Sequence, residues 1–368
     1  MQTFPVPTVY EALNLVMKNF PDNISQETRV EVETLLDHCL DGLSACSEKF
    51  LTTLFIKAIR KHIGPSGTDE HIYLKKFEVP QIELFNLLIE QFPFVKKCHE
   101  IINDTILEVV GDASNIVIID IGTGMGVQMN SLLKKLSASK TLRRVTLIGI
   151  EPFSEALDHA QSVISKVSCS FALNFIPVRS FIEEVDFEWI GVMIQRSGGD
   201  LVINESLALH HIKQQTDRHR VIKKLRGLNP KAFFLTEPNV DHYEPDFQRR
   251  FQNCYQHFYH VFQVIDQLPV DEVKRNGLKL FFGREIDDII GGNEMDRVEK
   301  HEPAFRWIEK LLVNGFKPLN RFSKGAFNLG YGIKPEFDDF SGSLGLRFKN
   351  ETVISLIHAV CDDEFLLD

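Results

Sequence analysis

No uninterrupted apolar stretch in this sequence comes near the ~20 residues that a membrane-crossing helix requires; runs such as 116–119 and 289–290 are typical. No membrane partner is therefore expected. The opening residues, Glu11 and Lys18 among them, lack a basic start followed by an apolar block, so no secretory leader is expected either. Basic charge is in the minority. Lys and Arg number 41 against 51 Asp and Glu, and the net charge of −10 repels polyphosphates unless the cations cluster. The densest cluster, Lys223, Lys224 and Arg226, reads as a solvated helix face, and no nucleic-acid partner is expected. Cys39, Cys46, Cys98, Cys169, Cys254 and Cys361 form no C-x-x-C pair, which fits reduced thiols and a cytoplasmic location. Zinc spacings, H-E-x-x-H, a P-loop and a nucleophile elbow are all missing. His257 and His260 stand one helical turn apart without a third ligand nearby in sequence, so no metal is expected.

What remains is an ordinary globular composition, 43% apolar and 25% charged over 368 residues, with an unusual 29 Phe. From 28 to about 111, apolar residues recur every three or four positions, which predicts helix after helix, including 73–91 and 94–110. At 116–119 the pattern changes to a solid β-branched run, a buried parallel strand. A helix over 127–137, a strand over 145–150 and a helix over 154–166 follow. Strands at 170–178, 201–204 and 232–236, with a helix at 217–225 between the last two, complete an alternation that predicts a doubly wound α/β sheet. From 245 to 268 helical spacing returns with Phe247, Phe251, Tyr255, Phe258 and Phe262, an aromatic stripe that reads as core. A helix from 303 to 313, ended by Asn314 and Gly315, leads to strands near 317–322, 344–348 and 352–359.

The run 117–126 delivers Asp120 and then Gly122, Gly124 and Gly126 to the start of a helix. Glycines permit positive φ and close backbone approach, and the free N–H groups of a helix start attract an electronegative group. The dinucleotide fingerprint would place its third glycine at 127, where Val127 stands. An acid two residues ahead of glycines at two-residue steps is instead the S-adenosylmethionine pattern: a carboxylate complements an amino group and a sulfonium and repels pyrophosphate. The second strand ends at Glu151, the position of the ribose-diol acceptor in both cofactor classes.

Several blocks together resemble the GRAS family. They are 92–96 through Ala113, the 116–126 strand and turn, 201–211, 234–239, the 247–262 aromatic helix, 297–302 with Trp307, Gly315 and Phe316, and 344–360. Their order is that of the family. The resemblance implies a Rossmann-type, methyltransferase-like sheet with an α-helical cap subdomain, and these expected divisions: 1–112 as the first part of the cap, 113–237 as the cofactor-binding core, 238–300 as a cap insertion, and 301–368 as the rest of the core. Plant members carry a degenerate turn with a single glycine and a long disordered amino-terminal tail. The complete turn here resembles bacterial-type members that keep cofactor binding, and no such tail is expected.

In a doubly wound sheet ligands sit beyond the carboxyl ends of strands, so Asn204 and Glu205, and Glu237 one strand on, are expected to share the crevice of the glycine turn. Asp120, Gly122, Gly124, Gly126, Glu151 and Asn204 are the candidate cofactor residues. Methyl transfer needs a nucleophile in line with the sulfonium, and a base where that nucleophile must lose a proton; Glu205, His210, His211 and Glu237 are the candidates, Glu205 first. Glu205 would alternatively cap the following helix. Arg297, Glu299, His301 and Glu302 precede Pro303; Glu302 fits a helix cap, and the resemblance implies a functional role for Arg297, Glu299 and His301, the alternative being that they tie the cap to the sheet. Two functions follow: an S-adenosylmethionine-dependent methyltransferase acting on a small-molecule substrate enclosed by the cap, or a non-catalytic module that binds a small molecule or docks a protein partner through the cap.

Overall fold

The computed structural model describes residues 7–18, 20–21, 24–41, 43, 46–63, 79, 81–325, 327–339 and 341–362. The glycine and proline punctuation at 64–67 and the start of the helix expected at 73 lie outside them. Two compact units emerge. A helical unit comprises Met1–Pro93, Val240–His301 and Phe348–Val353; a sheet unit comprises Phe94–Asn239, Glu302–Arg347 and Ile354–Asp368. Among the described residues no helix is long and apolar enough to cross a membrane.

The sheet unit is a mixed α/β fold built on a nine-stranded sheet. Strands β1 (Asn115–Ile121), β2 (Arg144–Ile150), β3 (Ala172–Val178), β4 (Asp200–Ser206) and β5 (Ala232–Pro238) run parallel in the order β3-β2-β1-β4-β5. The buried apolar runs of β1, β2, β4 and β5 suit strands covered on both faces, whereas β3 lies at the sheet edge and is only partly buried. The chain then passes through β6 (Phe316–Leu319), β7 (Ile333–Asp338), β8 (Ser343–Phe348) and β9 (Glu351–Cys361), with β9 antiparallel to both β5 and β6. Register decides which side chains share a face. Ile121, Glu205, Leu235 and Ile357 lie side by side across β1, β4, β5 and β9, as do Asp120, Asn204, Phe234 and His358 one residue earlier. The first face buries Ile119, Ile121, Ile203, Phe233 and Leu235 against Val221, Ile222 and Leu225 of the helix Gln215–Gly227 and Trp307, Ile308 and Leu311 of the helix Ala304–Val313. On the second face, Gln128 of the helix Val127–Leu136 meets Asn204, and Asn103 of the helix Pro93–Val110 meets Gln128.

The helical unit is organised by the aromatic stripe of Phe247–Ile265. Phe251, Tyr255, Phe258 and Phe262 are buried; Phe55 stacks edge-on to Phe251 at 5.4 Å, and Phe50 meets Phe262 at 6.4 Å. Each such ring contributes about 1.5–3 kcal/mol by leaving water. Thr52 Oγ1 lies 3.0 Å from the Tyr255 hydroxyl, so the one polar atom of that ring is satisfied. The long helix Glu272–Gly291 packs on Ser47–Ile63, where Gly283 and Gly291 admit Leu54 and the Ala58 backbone.

Candidate functional site

Strand β1 opens into the glycine turn with φ of +77° at Gly122, +52° at Gly124 and +77° at Gly126. Protein packing accounts for two of these glycines. A Cβ at Gly122 would stand 2.8 Å from both Ala208 Cβ and Ser206 O, and one at Gly126 would stand 3.0 Å from Ala160 of the helix Ser154–Ser165. Gly124 differs: its Cβ would meet only Gly122 O, at 3.9 Å. The Gly124 N–H donates to Glu151 Oε2 at 3.0 Å, and Phe153 N–H donates to Oε1 at 3.1 Å. The acid at the tip of β2 thus braces the turn itself.

Asp120 is buried, and its Oδ1 accepts from Asn204 Nδ2 at 2.7 Å. Asn204 also exchanges bonds with Gln128 at 3.3 Å, and Gln128 with Asn103 at 3.3 Å, giving a buried chain of amides. Burial pushes the Asp120 carboxyl up to about 6, and the nearby Glu151 charge adds to this, although the Asn204 and Thr123 bonds pull the other way.

Neighbouring residues of a strand point to opposite faces, and this separates the candidates. Asn204 joins Asp120, whereas Glu205 emerges on the other face, which it shares with Glu237 two residues beyond Leu235. Glu205 is fully buried. Its Oε1 accepts from Ala208 N at 2.8 Å and Leu209 N at 3.0 Å, and its Oε2 from Thr236 N at 3.2 Å. Those bonds hold the turn that opens the 3₁₀ segment Leu209–His211, which is the capping role left open by the sequence. Glu237 Oε1 accepts from His210 N at 3.0 Å, and Oε2 lies 2.5 Å from His210 Nδ1. Burial and the Glu237 charge push Glu205 well above the ordinary carboxylate range. Burial would push Glu237 up as well, but the His210 charge and hydrogen bond hold it below that range. His211 is exposed, its ring centroid 4.0 Å from that of His210.

Further out on the same face Arg218 is wholly buried. It donates to His210 O at 2.6 Å, to Ile212 O at 2.8 Å and to Glu302, which also accepts from Lys310 and Gln215 at 2.9 Å. Glu302 therefore anchors cations instead of capping the helix, and Pro303 occupies the cap position. The sequence reading missed Arg218, Gln128 and Asn103. Arg218 had a legible signal: with Val221, Ile222 and Leu225 it follows the buried helical stripe. A cleft of about 370 Å³ lies at the other ends of the strands, lined by Leu107, Gly111, Asp112, Lys135 and 138–141.

A mixed α/β unit with a nine-stranded sheet, a glycine turn and a buried acid–histidine network defines the class. The chain belongs to the GRAS domain family, whose model matches residues 25–329. It is 28% identical over 346 residues to Scarecrow-like protein 5 of Arabidopsis thaliana, covering 88% of this chain and 55% of that one. Identity to Scarecrow-like transcription factor PAT1 of Arabidopsis thaliana is 25%, covering 88% and 67%. The chain thus spans little more than half the length of the first of these relatives. The crystal structure of SCL7 of Oryza sativa overlays with a TM-score of 0.77 at 18% identity, over 97% of this chain and all of that one. The small RNA methyltransferase HEN1 reaches only 0.39, too low to bear on function.

Proposed function

We propose that this chain is a non-catalytic GRAS module, a regulator that works by binding a protein partner, and that it transfers no methyl group. The observation that carries this reading is the state of Glu205, the first candidate for a base: it is wholly buried, and three backbone N–H groups occupy its two oxygens. Glu237 is committed in the same way to His210. A general base must reach a substrate proton within hydrogen-bond distance, and neither carboxylate is presented to do so. The kinship with a relative named as a transcription factor supports the same reading. The test is incubation of the full chain with S-adenosylmethionine labelled in its methyl group, alone and with a cell extract. The expected result is no label in protein or small-molecule fractions above a boiled control; transfer that depends on intact protein would overturn it.

A second reading rests on Gly124. The open space at its Cβ, beside the buried Asp120, fits a bacterial-type member with a methyltransferase-like, Rossmann-type S-adenosylmethionine site. In that case Asp120 would face the amino group and Glu151 the ribose, and the substrate would be a small molecule. Calorimetry with S-adenosylhomocysteine separates the two: the second reading requires saturable binding that Gly124→Val abolishes.

A further inference from the structure

In the helical unit, Glu285, Glu299 and His301 each offer one ligand atom, and these atoms all lie within 4.8 Å of one another. We propose that they form a binding site for one first-row divalent cation of the zinc class. Glu299 Oε2 and His301 Nε2 stand 3.4 Å apart. Two ligands bonded at ~2.05 Å to a tetrahedral ion are about 3.3 Å from each other, so this edge of the site already has the span that coordination needs.

The ligands are held from behind. His301 Nδ1 lies 2.7 Å from His242 Nδ1, and His242 N–H donates to His301 O at 3.0 Å. With the shared proton on His301 Nδ1, the Nε2 lone pair is turned toward Glu299, which is how a supporting hydrogen bond orients a metal-binding imidazole. Asp288 fixes the loop that carries Glu299: its Oδ2 accepts from Val298 N at 3.0 Å and Glu299 N at 2.8 Å. Glu285 sits one turn before Asp288 on the helix Glu272–Gly291, so one helix supplies a ligand and the clamp on the loop holding the other two. Arg297 and Lys300 of that loop, and Arg250 of the helix Phe247–Ile265, reach Glu294 at 2.9, 3.3 and 3.3 Å.

Two carboxylates and a neutral imidazole balance a double positive charge. Imidazole disfavours the hard ions magnesium and calcium, and His with two carboxylates leaves a fourth position for water, as in open zinc sites. The sequence hid this set because its members are separated by 13 residues and then one, a pattern outside the known zinc spacings.

The test is titration of the full, chelator-treated chain with cobalt chloride, read by visible absorption, and with zinc chloride, read by calorimetry. One equivalent should bind, with the intense visible bands of low-coordinate cobalt. Glu285→Gln and Glu299→Gln, both at incompletely buried positions and checked for folding by circular dichroism, should each weaken binding tenfold or more. Binding of one equivalent with unchanged affinity in both variants would place the ion elsewhere and overturn the proposal. Failure of the wild-type chain to bind either ion saturably up to millimolar concentration would overturn it too.

Discussion

His210 Nδ1 lies 2.5 Å from Glu237 Oε2, and both side chains are withdrawn from water beside a second acid, Glu205. A buried pair of this kind is costly to break because one partner is left uncompensated. Glu237→Gln should therefore destabilise the fold by about 3–5 kcal/mol. Burial and the Glu237 charge raise the Glu205 carboxyl, so removing its charge relieves that cost; Glu205→Gln should therefore cost only about 1 kcal/mol, mainly from the weakened Thr236 bond. Glu237 is depressed in the folded state, so its contribution is present above the ordinary glutamate range and is lost as pH falls through its lowered value. Urea unfolding of both variants checks the order, and equal losses would refute the opposite effects of the two environments on these carboxyls.

The three glycines of the turn should respond unequally. Gly122→Ala forces a methyl to 2.8 Å from Ser206 O and Ala208 Cβ, both on the same short connection, and should abolish stable folding. Gly124→Ala meets nothing nearer than 3.9 Å and carries only the left-handed backbone cost of about 1–2 kcal/mol. Thermal melts of the two proteins decide this; a Gly122→Ala variant as stable as Gly124→Ala would mean that the packing is not required.

Much of the sheet unit was legible because its signals are local. The β-branched run of β1, the glycines after it and the acids at the ends of β2 and β4 are each readable from a few consecutive residues. The expected convergence of Asn204 and Glu205 on one crevice failed because chain order does not carry strand parity: register puts Asn204 beside Asp120 and Glu205 beside Ile121. The helices Phe187–Ser197 and Glu272–Gly291 and the strand β7 were not resolved from sequence. In Glu272–Gly291 the inward face holds Asn276, Gly277 and Lys279 among its apolar residues, so the periodicity is blurred. Lys279 is tolerated there because Asp266 lies 2.6 Å away, on another helix end. The network of Arg218, Glu302 and Lys310 joins distant parts of the chain and leaves no local mark.

That network predicts that Arg218 is replaceable by no other cation. Its guanidinium serves His210 O, Ile212 O and Glu302 at once, and it lies 5.0 Å above the Trp307 ring. A lysine ammonium presents no planar fork and cannot reach all three acceptors. Arg218→Lys should cost at least about 1–3 kcal/mol, and Arg218→Ala about 3–5 kcal/mol because Glu302 loses a buried partner. Denaturant midpoints give both values; a neutral Arg218→Lys would show that the carbonyl bonds contribute little.

Asp120 gives the test with the clearest pH signature. Its folded value is raised from 3.8 to about 6, chiefly by burial. An acid with a raised value binds its proton more tightly when folded, so this contribution favours folding below about pH 4 and is lost as pH rises toward 6. The shift corresponds to about 3 kcal/mol of strain carried by the ionised form at neutral pH. Asp120→Asn keeps an oxygen to accept from Asn204 Nδ2, so it should stabilise the chain at pH 7 by up to about 3 kcal/mol and flatten the decline between pH 4 and 6. A cationic ligand amino group beside Asp120 would relieve the same strain. S-adenosylhomocysteine should then raise the neutral-pH stability of the wild-type chain more than that of Asp120→Asn if the site holds that cofactor, and change neither protein if it does not. Urea unfolding at pH 4, 5, 6 and 7, with and without the ligand, measures all of this. An Asp120→Asn protein less stable than wild type at pH 7 would show that the buried charge is already compensated.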